Sequence, residues 1–248
     1  MLKSLAGFLV LSLPLLAHAE PTGLEGVIGT DERYPITRSN MRQPHLSVGQ
    51  LVLTFAGGES LCSGTVIGKR HVLTAAHCLV DGGKIPSKIV FYPGSTTSIA
   101  TTKNRYGKHE GVAVRVHPGY SKAQITENDM GMIYFAKDLP VPALPIAEAP
   151  STYLLPFQEL IISGYPGDKE TGTLWEAKGY LKTNPLVDPN AHYLDTYAGM
   201  SGASIRTGGA VIAVHSSGIS DASGKYIVNY ANFLSATRVQ MLKKWLKE

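Results

Sequence analysis

The chain has 248 residues, a formal net charge of +4 and 44% hydrophobic composition. No Lys/Arg cluster accompanies that charge and aromatics are not interleaved with basic residues, which argues against a nucleic-acid surface. A mildly basic surface can steer acidic substrates and serves solubility equally well. No apolar run reaches the roughly 20 residues that a membrane helix needs.

In chain order, the first element is an export signal. Lys3 supplies the positive start, Leu5 to Leu16 the apolar run and Ala17-His18-Ala19 a small-residue cleavage site, so residues 1–19 are expected to be removed. An uncleaved anchor is the alternative. Export implies a secreted or periplasmic protein, without membrane attachment after signal removal, in an oxidising compartment where disulfides persist. The residues that remain suffice for a full core without further staples.

Strand-like runs follow at Val48–Phe55, Ser63–Ile67, His71–Thr74, Lys88–Tyr92, Gly111–His117, Met130–Ala136, Glu159–Gly164, Glu176–Thr183, Tyr193–Thr196, Ala210–Ser216 and Tyr226–Asn229. Turn clusters such as Asp81-Gly-Gly, Tyr92-Pro-Gly and Arg206-Thr-Gly-Gly separate them. Many short strands without helical periodicity between them predict an all-β sandwich or barrel. The Pro-rich stretch Leu139–Pro150 reads as a connector between two halves. After Ser235, an N-cap residue type, Val239, Leu242, Trp245 and Leu246 mark one face of a helix.

The most informative segment runs from Cys62 to Cys78. It reads as strand, turn, strand and a tight turn ending in His77 beside Cys78. The chain has 2 cysteines, so Cys62 and Cys78 pair with each other unless the bond is intermolecular. A histidine held there suits a general base, because its pKa lies near working pH. The string Leu73-Thr-Ala-Ala-His-Cys78 resembles the histidine segment of the chymotrypsin-like serine proteases. That resemblance implies two antiparallel Greek-key β-barrels, about 45–140 and about 150–234, closed by a C-terminal helix at 235–247.

Acyl transfer by a serine needs a nucleophile, a base and a carboxylate that fixes the base's tautomer. Asp129, in Asn128-Asp-Met-Gly-Met-Ile-Tyr-Phe135 after His117-Pro-Gly-Tyr120, is similar to the superfamily's aspartate segment; His117 reads as a strand-end residue. Ser201 lies in Thr196-Tyr-Ala-Gly-Met-Ser-Gly-Ala203. Its flanking glycines allow the sharp backbone that points the hydroxyl outward and lets the N–H groups of Gly199 and Ser201 converge on an oxyanion. The order His77, Asp129, Ser201 matches the superfamily.

The position before the serine carries an aspartate in pancreatic-type enzymes, where it pairs with the freed N-terminus on activation. Here it is Met200, whose thioether cannot hold an ammonium. Ile162-Ser-Gly-Tyr-Pro-Gly-Asp-Lys169, Leu174-Trp-Glu-Ala-Lys-Gly179 and Val27-Ile-Gly-Thr-Asp-Glu-Arg33 closely resemble the bacterial glutamyl endopeptidases. The resemblance implies a pocket in which His215, Thr196 and the mature α-amino group of Gly26 receive a substrate carboxylate, a group that is costly to bury without such donors. For His215 the alternative is a core histidine bonded to a strand carbonyl. Asp195, six residues before Ser201, supports a rival reading of cleavage after Lys or Arg. The family's mature start aligns with Gly26, so Glu20–Glu25 is expected to be a short propeptide cut at a glutamyl bond; a plain linker is the other reading.

These residues predict a serine endopeptidase acting on proteins or peptides after Glu, with Asp a weaker substrate. No metal, cofactor, nucleic acid or membrane is called for, and a monomer is expected. The competitor from another class is a protease-fold binding or toxin module with idle machinery.

Overall fold

The computed structural model describes residues 26–98, 104–123, 126–150, 158–180 and 189–248. The predicted signal and propeptide lie outside them. Six strands close into an antiparallel barrel in the order β2 (Val48–Phe55), β3 (Gly58–Gly68), β4 (His71–Thr74), β7 (Gly131–Phe135), β6 (His109–Val116) and β5 (Lys88–Pro93). A seven-stranded antiparallel sheet holds β1 (Tyr34–Ile36), β9 (Leu174–Tyr180), β8 (Glu159–Gly164), β11 (Ser204–Thr207), β12 (Ala210–Ser220), β13 (Tyr226–Phe233) and β10 (Ala191–His192), in that order. A short helix, α1 (Pro118–Ala123), follows β6, and α2 (Ala236–Trp245) ends the chain.

Alternation explains the barrel. In β2, Leu51 and Leu53 point to a core that also takes Val66, Val72, Leu73, Phe91, Met132 and Ile133. The core continues beyond the barrel, because Val211, Val214 and Leu234 of the second half join the same cluster. Helix α2 covers it with Val239, Leu242 and Trp245, all buried at the predicted spacing. Ser235 caps that helix, its hydroxyl accepting the Arg238 N–H at 3.4 Å. A second cluster, built around Leu160, Ile162, Leu194, Met200, Ile205 and Ile212, fills the other sheet.

Three strand assignments differ from the sequence reading. The predicted strand Tyr193–Thr196 is displaced to Ala191–His192. The backbone of Leu194 and Thr196 instead bonds the Asn229 side chain and the Gly26 carbonyl, outside any strand ladder. Ser204–Thr207 was not anticipated, since Ser-Ile-Arg-Thr carries little apolar signal and its Arg206 is buried against Glu176. Tyr34–Ile36 is a three-residue edge strand containing a proline, which suits an edge.

Candidate active site

Strand β4 ends at Thr74 and leads through buried Ala75 and Ala76 into a turn in which Leu79 and Val80 both donate to the Ala76 carbonyl. His77 stands on this turn, about a third exposed along its side chain. Cys78 is disulfide-bonded to Cys62 of β3, so the His77 turn is fastened to the strand that pairs with β4.

Asp129 precedes β7 and is 3% exposed. Its Oδ2 lies 2.6 Å from His77 Nδ1, and its Oδ1 accepts the His77 backbone N–H at 2.7 Å. The Ser216 hydroxyl adds a third bond to Oδ2 at 2.5 Å, and Asn232 Nδ2 donates to the Asp129 carbonyl at 3.2 Å. Burial works to raise this carboxyl's pKa. The His77 ring and the three hydrogen bonds outweigh it and hold the group below the usual carboxylate value. Asp129 is thus an anion that fixes His77 with its proton on Nδ1 and Nε2 available as a base. His117 lies apart from this pair, its Nδ1 accepting the Gly119 N–H at 3.1 Å.

Ser201 sits at the end of a turn closed by Met200 N–H donating to the Tyr197 carbonyl at 2.8 Å. Gly199 adopts φ 99°, and a Cβ there would stand 2.6 Å from the Tyr165 carbonyl, so only glycine fits. Strand β3 grips the same turn: Ser63 N–H donates to the Ser201 carbonyl and Ser63 Oγ to the Gly199 carbonyl, both at 2.8 Å. The residue next to Cys62 therefore holds the Ser201 turn, while Cys62 holds the His77 turn.

Of the predicted pocket residues, Thr196 and Gly26 meet directly. Thr196 N–H donates to the Gly26 carbonyl at 3.4 Å, and Asn229, fully buried, brackets Gly26 with Oδ1 accepting its N–H at 3.2 Å and Nδ2 donating to its carbonyl at 2.8 Å. Among the described residues the buried Thr196 hydroxyl oxygen has no hydrogen-bond partner, an exception among buried polar groups. His215 is fully buried on β12, with Nδ1 3.1 Å from the Tyr230 carbonyl and 3.1 Å from His192 Nε2. Burial, then the neighbouring histidines, pushes the His215 pKa well below the usual value, and burial brings His192 down to about 3. Both rings are neutral near pH 7.

Asp195 is spent differently from the rival reading. Its Oδ1 accepts the Ile28 N–H and its Oδ2 the Glu32 N–H, each at 2.8 Å, so the carboxylate anchors the amino-terminal segment. Ser216, Ser63, Asn229 and His192 were not singled out from the sequence. Each is a small or polar strand residue whose partner is remote in the chain, and no spacing rule marks it.

A family model for trypsin matches residues 36–246. The chain is 27% identical to a glutamyl endopeptidase of Bacillus licheniformis over 80% of its own length and 63% of the relative's. It is 29% identical to a glutamyl endopeptidase of Staphylococcus epidermidis, covering 73% and 62% of the two chains, and 26% identical to exfoliative toxin A of Staphylococcus aureus, covering 78% and 68%. The chain thus spans less than two thirds of both endopeptidases. Among solved structures, a Glu endopeptidase in complex with MPD superposes with a TM-score of 0.75 at 25% identity, over 90% of this chain and all of the other. The chain belongs to the trypsin family.

Proposed function

We propose that this protein is a serine endopeptidase that cleaves peptide bonds after Glu, and after Asp more slowly. The observation that carries the chemistry is the buried, ionised Asp129 bonded at 2.6 Å to His77 Nδ1, in the same fold as a serine held in a glycine-bounded turn. His77 Nε2 takes the proton of Ser201 Oγ as that oxygen attacks the scissile carbonyl. The N–H groups of Gly199 and Ser201 receive the developing oxyanion. The imidazolium, stabilised by Asp129, then gives its proton to the leaving amine, and water hydrolyses the acyl-enzyme by the same route.

The preference for Glu is supported by the Thr196 hydroxyl, buried without a partner among the described residues, and by the His192–His215 pair. Leu194 N–H lies 3.3 Å from His192 Nδ1, which leaves the His192 proton on Nε2, facing His215 Nδ1. A proton donated there sets the His215 proton on Nε2, the tautomer that can donate to a carboxylate. The Tyr230 carbonyl favours the opposite tautomer, and an arriving anion selects the first. Cleavage of Glu25–Gly26 would convert the Gly26 nitrogen to an ammonium beside Thr196 and supply positive charge. The enzyme is proposed to remove residues 20–25 itself after export and loss of residues 1–19, and to act as a secreted or periplasmic monomer. Among the described residues no helix is long and apolar enough to cross a membrane.

The test is a panel of peptides differing at the cleaved position. Glu is expected to exceed Asp, with Arg and Phe far behind. Equal rates would overturn the pocket, preferred cleavage after Arg would restore the Asp195 reading, and an absence of turnover and of fluorophosphonate labelling at Ser201 would favour the idle module. N-terminal sequencing of Ser201→Ala protein should find Glu20; finding Gly26 would mean that another protease trims it.

A further inference from the structure

The string Gly164-Tyr-Pro-Gly-Asp-Lys169 reads from sequence as a turn, yet it touches the nucleophile's turn directly. Gly167 N–H donates to the Ala198 carbonyl at 2.6 Å. A peptide is planar and trans, so this bond turns the Gly199 N–H to the opposite side, away from the Tyr165–Asp168 loop. The approach is close enough that a Cβ on Gly167 would lie 3.0 Å from the Ala198 oxygen. The orientation of the Gly199 donor is therefore only as firm as the loop that holds Ala198.

Ser63 Oγ accepts the Tyr165 N–H at the start of that loop, and a buried cation holds its far end at Asp168. The Arg33 side chain is 1% exposed and sits between two carboxylates. It donates to Asp31 through Nε at 2.8 Å and Nη2 at 2.9 Å, and to Asp168 through Nη1 at 3.0 Å and Nη2 at 2.7 Å. Lys169 closes the cluster, 3.2 Å from Asp31 and 3.5 Å from Asp168. The guanidinium carbon also lies 5.7 Å from the centre of the Tyr197 ring, on the residue that begins the nucleophile's turn. Two paired forks of this kind fix direction as well as distance, which an ammonium cannot do.

We propose that Arg33 is a positioning residue for catalysis. It ties the amino-terminal segment to Asp168 and so fixes the Gly167 N–H that sets the 198–199 peptide with its Gly199 donor turned toward the oxyanion. The inference rests on the serine endopeptidase reading for its consequence, though not for the coupling itself. A well-seated amino-terminal segment thereby becomes a condition for a working oxyanion site, by a route that does not use the α-amino group.

The test compares wild type, Arg33→Met, Asp168→Asn and the double variant on a glutamyl peptide substrate. Complete loss of one oxyanion donor costs roughly 10²–10³ in kcat. Loosening it is expected to lower kcat about tenfold or more in each single variant, with KM within about twofold. The double variant should be no slower than the worse single, because both act through one link. Loss confined to KM, or multiplied losses in the double variant, would overturn the proposal. Asp168→Asn keeps the side-chain shape and serves if Arg33→Met fails to fold. Amide exchange at Gly167 reads the coupling without turnover: about tenfold faster exchange in Asp168→Asn is expected, and unchanged exchange would overturn it. An inert wild type whose variant still exchanges faster at Gly167 would sink the endopeptidase reading while supporting the coupling.

Discussion

Asn229 closes on Gly26 from both sides, accepting its N–H at 3.2 Å and donating to its carbonyl at 2.8 Å, across a separation of 203 residues. Its Nδ2 also donates to the Leu194 carbonyl at 3.0 Å, two residues before Thr196. Gly26 and the Leu194–Thr196 segment thus share one side chain. A Cβ on Gly26 would fall within the Tyr226 ring, 1.8 Å from its nearest atom, so the seat admits glycine alone. Replacing Asn229 by alanine should raise KM for glutamyl peptides about tenfold and cost about 1–3 kcal/mol of stability, the usual penalty for stranding buried polar partners. Steady-state kinetics and denaturant unfolding check both numbers, and an unchanged KM would remove Gly26 from the pocket.

Asp129 holds His77 by two bonds and is itself held by Ser216. Asp129→Asn keeps the shape and loses the anion, presenting its amide against a ring that needs an acceptor. A fall in kcat of about 10⁴ is expected from the wrong tautomer. Ser216→Ala removes one of three side-chain bonds and should cost kcat far less. Comparable losses in the two variants would mean that orientation, not charge, dominates.

Glu176 makes a prediction about acid. Its carboxylate is buried, which by itself would raise its pKa. Bonds from His45, Tyr34 and Ser163 overcome this and bring it to about 2, from an ordinary 4.5. A group whose pKa is lower in the folded state stabilises above its unfolded pKa and loses that contribution as pH falls. Glu176 should therefore contribute on the order of 3 kcal/mol above pH 4.5, lost progressively toward pH 2. Glu176→Gln should flatten this slope. It should also destabilise the protein near neutrality by about 3–5 kcal/mol, because it strands Arg206, 2% exposed and 3.1 Å away. Urea unfolding at several pH values reads both effects.

The Cys62–Cys78 bond closes a loop with a sequence separation of 16. Its loss through a double alanine substitution should cost about 3 kcal/mol by chain entropy. Chemical denaturation under non-reducing conditions measures it, and a midpoint indistinguishable from wild type would refute that figure.

The barrel strands and the closing helix were legible because their signal is local: Leu51 and Leu53 alternate, and Val239, Leu242 and Trp245 recur on one helical face. The His77 turn and the Gly199–Gly202 turn were legible for the same reason, each carrying its chemistry and its backbone requirement within a few residues. The partners that complete them were not. Ser216 reaches Asp129 across 87 positions and Ser63 reaches Gly199 across 136, so neither leaves a mark on its own neighbourhood. Asp195 stayed open for a related reason: its position also fits a binding group, and its two backbone donors, Ile28 and Glu32, lie at the other end of the chain.

Strand β3 carries the link to the His77 turn on Cys62 and the link to the Ser201 turn on Ser63. Successive residues of a strand face opposite sides, and a slip of one residue in pairing exchanges them. Such a slip would break the disulfide and both Ser63 contacts in a single event. The placement of His77 relative to the Ser201 turn is thereby tied to the register of one strand.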